Sequence, residues 1–195
     1  MRWPPLNSWK KIFTIIPAIA PPKKLNRYEF QVYSQNGEDG IIHEIFKRIG
    51  VTNKFFIEFG VENGTECNTT SLLYNGWKGL WIGGEKKYVE KINKSCKNII
   101  DQKKLTIINA FITAENIESL FLEANSPAEP DLLSIDIDRN NYYVWNAVKN
   151  YLPRVLIIEY NAIFRPGVRF CVPYEAAPSW DGTSSFGGSL NLYMN

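Results

Sequence analysis

Two rhythms of apolar residues alternate along this chain. In "SQNGEDGIIHEIFKRIG", Ile41, Ile42, Ile45, Phe46 and Ile49 fall at helical spacing; Ser34 or Asp39 is placed to begin a helix and Gly50 to end it. Five short apolar runs follow and read as strands: "KFFIEFG", "KGLWIGG", "KLTIINAFI", "DLLSIDID" and "RVLIIEYN". Between them "TTSLLYNG", "KKYVEKINKSCKN", "AENIESLFLEA" and "NYYVWNAVKNY" carry helical periodicity. Strands apolar on both faces, separated by helices, predict an α/β fold: a parallel sheet covered on both sides and doubly wound by right-handed crossovers. Beyond Asn161 the rhythm breaks into a loop rich in Gly, Pro and aromatics, with a last helix expected at "GGSLNLYM".

In such a sheet, ligands bind where the strands end at their carboxyl side. Four of the five predicted ends carry acids: Glu58 before Gly60, Glu85 after Gly83, Asp136 with Asp138, and Glu159 with Asn161. Residues two apart in a strand share a face, so Asp136 and Asp138 point together, as do Glu159 and Asn161. Unpaired carboxylates inside an apolar sheet are costly, which marks this edge as the functional one.

The turn after the first strand, Gly60-Val61-Glu62-Asn63-Gly64, is not a dinucleotide fingerprint. Glu62 stands where the second glycine of GxGxxG lets a pyrophosphate approach bare backbone, and its charge repels one. The Lys and Ser/Thr of a phosphate-gripping loop are also missing. A cofactor without phosphate, carrying an amine and a carboxylate, fits better.

The stretches "YSQNGEDGIIHEIF", "FFIEFGVENGTECNTTSLLYNGWKGLWIGGEKK", "DLLSIDIDRNNYYVW" and "RVLIIEYN" together resemble the FkbM-like branch of class I methyltransferases. The resemblance runs from about Tyr33 to Leu190. It implies a Rossmann-like methyltransferase fold, S-adenosylmethionine as methyl donor, and O-methylation of a sugar or other small hydroxyl compound, often in surface-polysaccharide synthesis. By position, it implies that Glu58, Gly60 and Gly64 surround the methionine end of the cofactor. Ser34 to Asp39, with Gln35, would pack over that loop, and Asp136 would sit beside the sulfonium and the substrate. The family pattern departs at three places. Gly83 stands in "WIGG" where the family has the ribose-binding acid of "WIEG", leaving Glu85 as the ribose acceptor. Arg139 replaces a glycine after "DID", where a cation would neutralise Asp136 and Asp138 or block the site. The last two strands of the family sheet have no counterpart here; either another chain covers the fifth strand or the chain is a truncated product.

Methyl transfer needs positioned reactants and a base for the acceptor hydroxyl. Asp138 has three readings: that base, a Mg²⁺ ligand together with Glu159 and Asn161, or the cap of the following helix. Asn161, Trp180 and Asp181 are candidate substrate contacts. Trp180 and Phe186 read equally well as sugar-stacking surfaces or as core aromatics.

Composition adds an N-terminal arm. Residues 1–28 hold six basic residues, no acid and five of the eleven prolines, ahead of a 29–195 body that is mildly acidic. The arm reads as a surface arm, or as one lying on a partner protein or an anionic membrane face. Pro17 and Pro21 argue against a cleaved signal peptide. A net charge of +2 makes no case for nucleic acid. Three widely spaced cysteines, Cys67, Cys96 and Cys171, suggest a reducing compartment, hence a cytoplasmic or membrane-associated protein. The rival expectation is a degenerate module of the same fold that binds a partner without catalysis.

Overall fold

The computed structural model describes residues 24–176 and 186–194. A single 3-10 turn, Leu25–Tyr28, leads into helix α1, Glu38–Ile49. Then come β1 (Phe55–Phe59), α2 (Thr70–Tyr74), β2 (Lys78–Gly83), α3 (Lys86–Ser95), α4 (Lys97–Asp101) and β3 (Leu105–Asn109). The chain continues through α5 (Ile117–Glu123), β4 (Leu132–Ile135), α6 (Asn141–Ala147), β5 (Val155–Ile158) and α7 (Leu190–Tyr193). All strand pairs are parallel and the order is β3-β2-β1-β4-β5. This is the doubly wound, Rossmann-like order that the alternating pattern implies, with β1 central and its neighbours reached in opposite directions. Among the described residues the sheet has these five strands, with β3 and β5 at its edges.

Each strand presents two apolar faces, and both are covered. Phe56, Trp81 and Leu132 pack with Ile42 and Phe46 of α1, Leu72 and Leu73 of α2 and Ile92 of α3. On the other face Ile57, Phe59, Ile82 and Ile135 pack with Ile117 and Phe121 of α5 and Val144 of α6. Each large side chain so enclosed contributes roughly 1.5–3 kcal/mol.

Several boundaries differ from the sequence reading. β3, β4 and β5 stop three residues or so short of the predicted ends, so the acids after β4 and β5 sit in the exit loops. The helix expected through Asn98 breaks at Cys96 into α3 and α4. The helix expected to reach Tyr151 ends at Ala147. α1 begins at Glu38, with Gly37 at its N-cap in a left-handed conformation (φ 89°). Ser34 and Asp39 still organise that start. The Asp39 carboxylate accepts the N–H groups of Val32, Tyr33 and Ser34, and the Ser34 hydroxyl accepts the Asp39 N–H.

A second buried carboxylate closes the opposite edge of the sheet. Asp131, just before β4, accepts the N–H groups of Thr52, Asn53 and Lys54 and the guanidinium of Arg154 at 2.6 Å. Arg154 also donates to the carbonyls of Ile49 and Gly50, tying the end of α1 to the start of β5. Burial pushes the Asp131 carboxyl up, but Arg154 and Thr52 outweigh it and hold the group below the usual carboxylate range. Its stabilisation is therefore present at neutral pH and lost as pH falls through that lowered value. Breaking such a buried pair costs about 3–5 kcal/mol. Asp131→Asn should lower the unfolding free energy by an amount of that order in urea titration at pH 7, and the gap to wild type should narrow at pH 3.

Candidate functional site

The carboxyl ends of β1, β2, β4 and β5 open into one cavity of about 900 Å³. Its first wall is the turn after β1. Glu58 is nearly enclosed, and both its oxygens are held: Oε1 accepts the Asn68 N–H at 2.9 Å, and Oε2 accepts the Thr69 N–H at 3.0 Å. The Thr69 hydroxyl also donates to Oε2 while accepting the indole N–H of Trp81 at 2.8 Å. Burial pushes Glu58 up to about 7, against the pull of its hydrogen bonds from Thr69, Asn68 and Ser134. Glu58 thus fastens the loop that forms the cavity rim.

Gly60 follows with φ 86°, packed on the exit of β4. A Cβ there would lie 1.5 Å from the Asp136 carbonyl oxygen, so only glycine fits. Gly64, at φ 79°, completes the turn by donating to the Val61 carbonyl. Gln35 lies across this loop, its amide donating to the Glu66 carboxylate at 2.8 Å, and it lines the cavity. At the end of β2, Gly83 and Glu85 both line the cavity, and Glu85 is paired with Lys87 at 2.7 Å. Asn109 donates to the carbonyls of Gly83 and Gly84, holding that exit open.

The third wall is acidic. Asp136 and Asp138 from the β4 exit and Glu159 from the β5 exit bring carboxylate oxygens within 4.8 Å of one another. Asp136 and Asp138 are exposed at the cavity, yet desolvation by the protein packed around them raises both carboxyls. Asp138, Glu62 and Glu38 raise Asp136 further by like charge. Burial first, and then the neighbouring Asp136 charge, push Glu159 up to about 8. Glu159 and Asp136 lie against each other, so their two carboxyls titrate as a pair.

Three expectations change here. Asn161 does not join the cluster: its side-chain amide donates to the Phe186 carbonyl and its oxygen accepts the Ile163 N–H, which pins the C-terminal segment. It is fully buried and does not line the cavity, so a ligand contact to metal or substrate is excluded in this arrangement. Asp138 does not cap α6. Asn140 occupies the N-cap, and Asn141 uses its side-chain oxygen to accept the Ile137 N–H at 2.8 Å. Arg139 neither neutralises the acids nor lines the cavity; it turns away to Glu175 at 3.2 Å. Trp180 and Asp181 lie outside the described residues. Phe186 is half-buried and off the cavity wall.

Other residues that matter escaped the sequence reading. Asn141 is fully buried, and its amide donates to Glu159 at 3.2 Å while its oxygen holds the β4 exit. Its only signal was a position two residues beyond Arg139. Phe111, 67% exposed, lines the cavity beside Gly84, with Tyr88 and Tyr160 as further aromatic wall. Among the described residues the wall carries eight carboxylates: Glu38, Glu58, Glu62, Glu66, Glu85, Asp136, Asp138 and Glu159. No Lys or Arg is among its lining residues within the described part of the chain. That charge favours cationic ligands and repels phosphates.

No known protein family matches the chain, and no curated protein matches it in sequence. Among solved structures it is similar to an O-methyltransferase from Bacillus cereus in complex with SAH, at 14% identity and a TM-score of 0.44, over 73% of this chain and 68% of that one. It is also similar to an S-adenosylmethionine-dependent methyltransferase from Clostridium acetobutylicum, at 13% identity and a TM-score of 0.41, over 75% of this chain and 52% of that one. Likeness at this level carries no inference about chemistry, which rests on the cavity itself.

Two outcomes follow. Gly60→Ala must displace the β4 exit or the loop; with strain at positive φ added, it should cost about 3 kcal/mol or more in denaturant unfolding. The raised carboxyls bind protons more tightly in the folded state than in the unfolded one. Their stabilisation is full below about pH 4.5 and is lost as pH rises through about 8 for Glu159. Urea unfolding at pH 6 and pH 9 should show wild type weakening at the higher pH, and Glu159→Gln should flatten that dependence.

Proposed function

We propose that this chain is an S-adenosylmethionine-dependent methyltransferase of the FkbM-like kind, acting on a hydroxyl of a sugar or other small compound in surface-polysaccharide synthesis. The observation that carries the reading is the acidic cavity at the carboxyl edge of a β3-β2-β1-β4-β5 sheet, with no lysine or arginine lining it among the described residues. A dinucleotide would bring two phosphates against Glu62 and its neighbours, whereas a sulfonium with an ammonium group brings the complementary charge. The volume suits a ligand of that size.

When bound, the cofactor supplies an electrophilic methyl group. In this reading Gly60, Gly64 and Gln35 shape the pocket for its amino-acid end, next to Asp136. Glu85, once released from Lys87, accepts from the ribose. Phe111 and Tyr88 offer flat apolar surface for the base. Asp138 is the general base, because it opens to the cavity and carries no helix-capping bond; it would take the acceptor hydroxyl proton while the oxygen–methyl bond forms, the methyl–sulfur bond breaks and the electron pair stays on the departing thioether. Asp136, Asp138 and Glu159 form an all-oxygen donor set that would also suit Mg²⁺, which would lower the pKa of the acceptor alcohol.

A second reading keeps the fold and drops catalysis. Gly83 favours it, since the ribose acid of the family pattern is missing there. Calorimetry of the full chain separates the two. S-adenosylmethionine is expected to bind with micromolar affinity, Asp136→Asn to weaken it about tenfold, and NAD not to bind. A folded protein that binds no S-adenosylmethionine overturns the first reading in favour of the second. Added Mg²⁺ is expected to raise methyl transfer to glycan acceptors, and an unchanged rate removes the metal.

A further inference from the structure

Beside α1, between the 3-10 turn and α2, lie two adjoining cavities of about 430 and 360 Å³. They share Asp39, His43, Lys47 and Ser71 as walls. Tyr28, Phe30 and Val32 form the rim of the first, and Phe46, Leu72 and Trp77 the floor of the second. The apolar groups here are unusually bare. Phe30 is 68% exposed and Val32 52%; Tyr74, 66% exposed, stacks on Tyr33 at 5.4 Å between ring centroids. Single exposed apolar residues are ordinary, but a cluster beside a groove marks a surface that something covers. The floor also holds an unmet polar demand: Asp39 is buried, and its Oδ1 has no hydrogen-bond partner among the described residues.

We propose that this groove is the docking site of the chain's own segment Ile12–Ile16, "IFTII". The described fold begins at Lys24, and the turn that follows packs along α1, placing Tyr28 in the groove wall. Arg48 of α1 stands over the Tyr28 ring at 5.1 Å, which fixes where the preceding chain arrives. Ile16 lies eight residues before Lys24, a reach of up to about 27 Å at full extension. The groove starts only four residues after Lys24, so the span is ample. The segment has the complementary chemistry. Between Lys11 and Lys23 the sequence carries no charge, and Ile12, Phe13, Ile15 and Ile16 are side chains that gain by leaving water. A donor from the same segment, a main-chain N–H or the Thr14 hydroxyl, would meet the Asp39 oxygen.

Hydrogen exchange on the full chain at low micromolar concentration tests this. Amides of residues 30–34 and 71–75 are expected to be protected in wild type. The double variant Ile15→Asp, Ile16→Asp should speed their exchange about tenfold while the strands stay unchanged. Phe30→Asp, read from the other side, should speed exchange in residues 12–16. Exchange indifferent to both variants overturns the proposal. Protection that rises with protein concentration overturns it in favour of a second copy's segment. Protection that appears only with phosphatidylserine vesicles overturns it in favour of a membrane surface.

Discussion

Glu58 accepts hydrogen bonds on both carboxylate oxygens from a loop ten residues further on, and the functional edge is built on that attachment. A buried carboxylate is costly unless its lone pairs are filled, and here the filling groups are the peptides that begin α2. The Trp81 indole extends the chain into β2 through Thr69, and the Ser134 hydroxyl extends it into β4. Three central strands therefore share one anchor. The turn at Gly60 can press its backbone against Asp136 because that anchor keeps the loop from relaxing outward.

The opposite edge uses the same device with the opposite balance. Asp131 is also buried, but it faces a guanidinium as well as peptide N–H groups, and so stays below the usual carboxylate range. Glu58 has only neutral donors and is raised. At the cavity, Asp136 and Glu159 meet no cation among the described residues, and burial together with their mutual charge raises both. The gradient from a paired base to an unpaired rim is what leaves charge available for a ligand.

The strands and their order were readable because a parallel sheet covered on both sides writes itself as unbroken apolar runs. Glu58, Gly60 and the acids after β4 and β5 were readable because strand ends are where such a sheet exposes chemistry. Asn161 misled because alternation along a strand says which way a residue points only while the strand lasts, and β5 stops at Ile158. Arg139 misled because its partner, Glu175, lies in a segment without periodicity. Asn141 and Asp131 were silent because one asparagine or aspartate at a helix or strand start looks like an ordinary cap. Phe111 was hidden inside a run that read as strand, although β3 ends at Asn109.

Asn141 accepts from the peptide after β4 and donates to the acid after β5. Mechanically, the two exits become one part. The amide connects Glu159 to the Ile137 peptide, which lies between Asp136 and Asp138. The three carboxylates are thereby held in one fixed spacing. Whatever enters the cavity meets a preassembled claw whose spacing the two bonds of one asparagine hold.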